Sequence, residues 1–143
     1  MDGLPALEDQ AQLDRLLVLE EQATTVLAGD TLLHGDLYPF NLLLTPDRVV
    51  AVDWPHAWIG APFCDALTLM SSASLSGIDP QTLADRHPLT RDLDPRSVDV
   101  FLAVHAGFLF RVATNAGPAT GPRLIAMMTR LGTASLSWLR RRW

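Results

Sequence analysis

The 143 residues are 48% apolar and 19% charged, enough apolar content for one globular domain and too much for a disordered chain. The net charge of −5 argues against a general nucleic-acid binder, and the one cysteine, Cys64, excludes an internal disulfide. All eleven basic residues are Arg, so no step that needs a lysine can be served by this chain.

Taken in order, the sequence predicts a helix over residues 4–28. Leu13, Leu16, Leu17, Leu19, Ala23 and Val26 fall close to an i, i+3/i+4 pattern, and Gly29-Asp30 ends it. The start, MDGLPALEDQ, is acidic and has no apolar core, so no signal peptide is expected there. A short extended segment, TLL (31–33), leads into LLHGDLYPFNLLL (32–44). Two apolar β-type runs flank the turn Thr45-Pro46-Asp47-Arg48, which predicts a hairpin. Pro55, Gly60 and Pro62 mark an irregular loop, and helix resumes at about 64–75. Residues 76–96 read as a loop with one short helix, PQTLADR, and an acidic face from Asp79, Asp85, Asp92 and Asp94. That face could hold amines or simply be solvated. Pro95 opens a long apolar helix to about Asn115, and Pro122 opens a last helix to about Arg141, giving an antiparallel pair. The run FLAVHAGFLF (101–110) is too short to span a bilayer and suits a buried helix, so no membrane partner is expected. Phe101, Leu102, Val104, Phe108, Leu109 and Val112 are assigned to the core of that pair, and Cys64 to a small buried position. The expected class is α+β, mainly α, as a single domain over 1–143.

Polar residues inside the apolar run 32–44 need a reason, because an unpartnered buried carboxylate is costly. Counting outward from the turn, Leu44 faces Val49, Leu43 faces Val50, Leu42 faces Ala51 and Asn41 faces Val52. Asp53 then lies beside Asn41, at the mouth of the loop that carries Asp36. A carboxylate with an amide oxygen suits Mg²⁺, which keeps positions for phosphate and water. Asp36, five residues before Asn41, is left to accept a proton from a nucleophile. The plain alternative is a hydrogen-bonded turn network. His34 suits buried support of the loop better than acid–base work, and Asp65 suits a helix N-cap or loop anchor better than a metal ligand. His56 is either a lining of the substrate cleft or an exposed loop residue; Trp54 and Trp58 pack the loop, with Trp58 a candidate floor for a pocket.

The order His34-x-Asp36-x4-Asn41, then Asp53 twelve residues later, follows the kinase catalytic template. More specifically, HGDLYPFNLLL, VVAVDW and DWPHAWIGAPFCDALTL resemble the aminoglycoside phosphotransferase family, which includes choline-kinase-like enzymes. The resemblance is close over roughly residues 30–75 and reaches the helical remainder in type only. It implies a protein-kinase-like C-terminal lobe, with the catalytic loop and hairpin at 32–53. It also implies ATP and Mg²⁺ as cofactors and a small-molecule hydroxyl as acceptor. By it, Asp36 is the catalytic base, Asn41 and Asp53 are metal ligands, and His34 and Asp65 support the loop.

Family members also carry a β-rich N-terminal lobe with a phosphate-binding Lys, and this chain has no Lys and no G-x-G-x-x-G. The expectation is therefore an isolated C-terminal lobe, with the N-terminal lobe absent. Two functional readings follow: a phosphotransferase incomplete alone, or a catalytically inactive remnant that binds a ligand or partner. A separately encoded N-lobe or self-association would supply the partner. A cytoplasmic location is the simpler expectation for a chain with one cysteine.

Overall fold

A computed structural model describes residues 10–143; the expected helix start at 4–9 lies outside them. The fold is mainly helical with two small antiparallel sheets.

The first helical stretch is two helices, α1 (Gln10–Glu20) and α2 (Ala23–Val26), and not the single helix the apolar spacing predicts. The backbone tightens at Gln22, whose N–H reaches Leu19 one residue short of the α spacing. No Gly or Pro marks the break. It lets α1 bury Leu19 and the chain after α2 bury Leu27, while Leu17 and Val18 stay exposed.

Strand β1 (Thr31–Leu33) follows, then a 3₁₀ turn at Pro39–Asn41. Strands β2 (Leu42–Leu44) and β3 (Val49–Ala51) form the expected hairpin, with Leu42 opposite Ala51, Leu43 opposite Val50 and Leu44 opposite Val49. Thr45 closes its turn by donating from Oγ1 to the Asp47 carboxylate at 2.9 Å. The segment 55–62, expected to be irregular, contains strand β4 (Trp58–Gly60), which pairs antiparallel with β1. Three residues show no alternation to read, and the partner strand is far away in sequence.

Helices α3 (Phe63–Ala73), α4 (Pro80–Ala84), α5 (Pro95–Thr114) and α6 (Pro122–Arg141) form the rest. Asp79 caps α4 through Thr82 N–H, and Asp94 caps α5 through Arg96 N–H. Asp85 accepts from Gln81 and Asp92 pairs with Arg91, so the acidic face expected over 76–96 is engaged in local bonds.

Helices α5 and α6 pack against each other and against α3. Leu67, Val100, Leu102, Trp138 and Leu139 are fully buried at their junction. Trp138 donates from Nε1 to Gln81 at 3.0 Å, and Arg142 reaches the Asp99 carboxylate at 2.6 Å. By length and composition α5 could cross a membrane. Here Val98, Val100, Leu102 and Ala106 turn one side of it into the core. Its other side differs from the expectation: Phe108 is 48% and Val112 38% exposed. They face an open cavity next to the loop that carries Asp36, because the core of the pair is already filled from the opposite side.

Candidate active site

The site is built by the loop between β1 and the β2–β3 hairpin. Gly35 has φ +78°, a left-handed conformation, and a Cβ there would collide with the His56 carbonyl oxygen. That leaves glycine as the residue that fits between His34 and Asp36. Both backbone N–H groups at this bend are claimed by one carboxylate. Asp65, in the first turn of α3, accepts from His34 N–H at 2.7 Å and from Gly35 N–H at 3.0 Å. The N-cap position of α3 is Pro62, so Asp65 ties the loop down and does not cap the helix.

His34 is 1% exposed. Its Nε2 donates to the Val52 carbonyl at 2.8 Å, and its Nδ1 accepts from Asp36 N–H at 3.2 Å. The two bonds place the ring proton on Nε2. One imidazole thereby links the loop to the strand end that carries Asp53. Trp54 covers the His34 ring at 4.6 Å between centroids and donates from its indole to the Ala51 carbonyl.

Asn41 is buried, and its Nδ2 donates to the Asp36 backbone carbonyl at 2.8 Å and to the Asp36 carboxylate at 3.2 Å. Val52 N–H bonds the Asn41 carbonyl at 2.9 Å, which extends the hairpin ladder by the step counted from the sequence. Asp53 follows at φ +64°, the one non-glycine residue in this region of backbone space among the described residues. Such a conformation is disfavoured for a side chain with a Cβ, and Asp53 is exposed. The spacing thus brings Asp36 and Asn41 into direct contact and sets Asp53 one residue past Asn41's partner. Among the described residues, no group of three or more His, Cys, Asp or Glu side chains converges as a metal cluster. An Asn–Asp pair is a sparser donor set, consistent with an ion that keeps most of its shell for water and phosphate.

Asp36 opens onto a cavity of about 490 Å³. His56 and Trp58 both line it, as does Asp65, and α5 forms its far wall. The sequence reading missed His105, which also lines this cavity. His105 lies 2.8 Å from the Tyr38 hydroxyl through Nε2 and 2.8 Å from Ser135 Oγ through Nδ1. Burial pushes its pKa down to about 4, so the ring is neutral near pH 7. Burial, with a smaller contribution from the Asp36 charge, raises the Tyr38 phenol above its ordinary range. The available signal was a lone His within an apolar helical run, which alone does not tell a satisfied core residue from a site residue. Cys64, another cavity residue, is raised to about 12 by burial and then by the charge of Asp65, so it stays a thiol.

A family model described as "Phosphotransferase enzyme family" matches residues 2–101, well over half of the chain. Protein LicA of Haemophilus influenzae is similar in two versions, each 40% identical over 43 residues. That stretch is 30% of this chain but 16% and 13% of those two relatives. No solved structure matches.

Proposed function

We propose, from the premise that this chain belongs to the phosphotransferase enzyme family, that it is a kinase-like C-terminal lobe carrying phosphoryl transfer from ATP to a small-molecule hydroxyl. One observation carries the reading. Asp36 and Asn41 are held together by two hydrogen bonds at the end of a hairpin whose other strand delivers Asp53. Asp36 would accept the proton of the acceptor hydroxyl and aim its oxygen, since it lies at the rim of the cavity. Asn41 Oδ1 and the Asp53 carboxylate would hold Mg²⁺, as their oxygen chemistry fits a hard ion. The metal would supply neutralisation of phosphate charge. Asn41 has a second task, because its Nδ2 fixes the Asp36 carboxylate. His34 and Asp65 would set the loop through their bonds to its backbone and to Val52. Catalysis of this type rests mainly on positioning and electrostatics, which suits a rigid loop.

The chain has no Lys, so any ammonium contact to phosphate would come from outside these 143 residues. The hairpin also exposes Leu43, Leu44 and Val49. Both observations favour a second reading, a lobe that works with a separately encoded partner or binds without catalysing.

Calorimetric titration with ATP, with and without Mg²⁺, on the chain and on Asp53→Ala separates the two. Saturable Mg²⁺-dependent binding, weakened at least about tenfold by the substitution, is expected of the phosphotransferase. Heats that are absent even at millimolar nucleotide would favour the second reading.

A further inference from the structure

The cavity beside Asp36 has an unusual inventory for a site that takes alcohols. Its volume, about 490 Å³, is that of a small-molecule site. Its far wall is a stripe of α5: Phe101, Val104, His105, Phe108, Leu109 and Val112. These positions recur at the spacing of one helix face, so one strip of α5, apolar except for His105, lines the cavity. Trp58 stands on the side of the loop and hairpins.

The polar groups in the lining are almost all engaged internally. Asp65 accepts two backbone N–H groups, and Thr68 donates to the Cys64 carbonyl at 3.0 Å. Both nitrogens of His105 are bonded, to Tyr38 and Ser135. Asp36, His56 and the indole N–H of Trp58 remain as the lining groups with the most hydrogen-bonding capacity to offer a ligand. No Arg lines the cavity, so an anionic acceptor finds no counter-charge. A polyamino sugar would need several carboxylates and finds two, Asp36 and Asp65, the second already accepting two backbone N–H groups. Apolar side chains such as Phe108 and Val112, left half in water, would gain from being covered by an apolar ligand.

We infer that the acceptor is an alcohol carried on an apolar, uncharged body, seated along the Phe101–Val112 face of α5 with its hydroxyl at Asp36. This rests on the phosphotransferase reading, which places the reacting hydroxyl at Asp36, and it narrows that reading to a substrate class.

The test is binding to the purified chain without nucleotide, followed through the methyl resonances of Val104, Val112 and Met128. The probes are cinnamyl alcohol, an apolar-bodied alcohol, and streptamine, a diamino cyclitol. Cinnamyl alcohol should give saturable shifts at these methyls and nuclear Overhauser contacts from its ring to Val104 and Val112. Streptamine should give none. Phe108→Ser and Val112→Asn change half-exposed residues, so both variants should keep the fold; each should weaken cinnamyl alcohol binding, the first by at least about tenfold. Tighter binding of streptamine, unchanged affinity in both variants, or no ring contacts to these valines would overturn the inference. So would sedimentation showing a dimer that covers Phe108 and Val112. Phosphoryl transfer to streptamine would sink this inference and leave the phosphotransferase reading standing. Cinnamyl alcohol binding in a chain that never binds Mg²⁺-ATP would support this site and sink the phosphotransferase reading.

Discussion

In the helical base, Leu67, Val100, Leu102, Trp138 and Leu139 are fully buried where α3, α5 and α6 meet. In the loop and hairpin region over 34–58, Phe40, Leu43, Leu44, Val49, Trp54 and Trp58 are all exposed, and Tyr38 and His34 are the large side chains turned inward. The base is held by apolar burial, which is non-directional and large in sum. The loop is held by a few directed bonds: Asp65 to two N–H groups, His34 to Val52 and Asp36, and Asn41 to Asp36. The first kind of order tolerates small shifts and supplies stability. The second fixes where three polar side chains stand and supplies a smaller share of the stability. Substitutions in the base should therefore be read in melting, and substitutions in the loop in function.

Trp138→Ala should have the largest effect. It empties a fully buried site and removes one of the two donors to Gln81, which costs about 3–5 kcal/mol. Chemical denaturation should show the loss as a lower midpoint; a change under about 1 kcal/mol would mean that the base does not carry the stability.

Asp65→Ala should come next. Removing a carboxylate that accepts two backbone N–H groups costs about 2–3 kcal/mol, since both donors are left without their partner. The sharper reading is amide hydrogen exchange. His34 and Gly35 should lose protection while α5 and α6 keep theirs. Equal loss everywhere would erase the distinction between the two regions.

The last effect is spread over a range of pH and concerns the seam between them, where His105 of α5 joins Tyr38 of the loop to Ser135 of α6. Burial lowers the His105 pKa from 6.5 to about 4. The unfolded chain therefore binds more protons than the folded one between those values. Its contribution to stability is whole above pH 6.5 and is lost as pH falls toward 4, at a slope of up to about 1.4 kcal/mol per pH unit. Denaturation at a series of pH values should show this slope, and His105→Gln should flatten it. An identical slope in the variant would assign the pH dependence to the carboxylates.

Much of the site was legible because its logic is local. The hairpin register follows from a turn, Thr45 to Arg48, with apolar runs on both sides, and it gave Asn41 opposite Val52 in advance. The helix starts at Pro95 and Pro122 were legible because proline at the first turn is a short-range signal, joined at Pro95 by the Asp94 cap. Strand β4 was not, since its pairing to β1 depends on a distant partner. The break at Gln22 was not either, as no residue there forbids a continuous helix and the demand comes from where Leu27 must pack.

The sequence by itself determined the order His34, Asp36, Asn41 and Asp53, the hairpin that brings the last two close, the family resemblance, and the absence of lysine. Only the tertiary structure decided what surrounds them. An apolar period along α5 says that a helix has faces, but not which face meets α6 and which meets a cavity. That choice put Val100 and Leu102 in the core and Phe108 and Val112 at the cavity wall. It also brought His105 to Tyr38 and Ser135, three residues from three separate segments. The physical reason is range. Turn chemistry and alternation act between neighbours, whereas burial is settled by whichever distant surface arrives first.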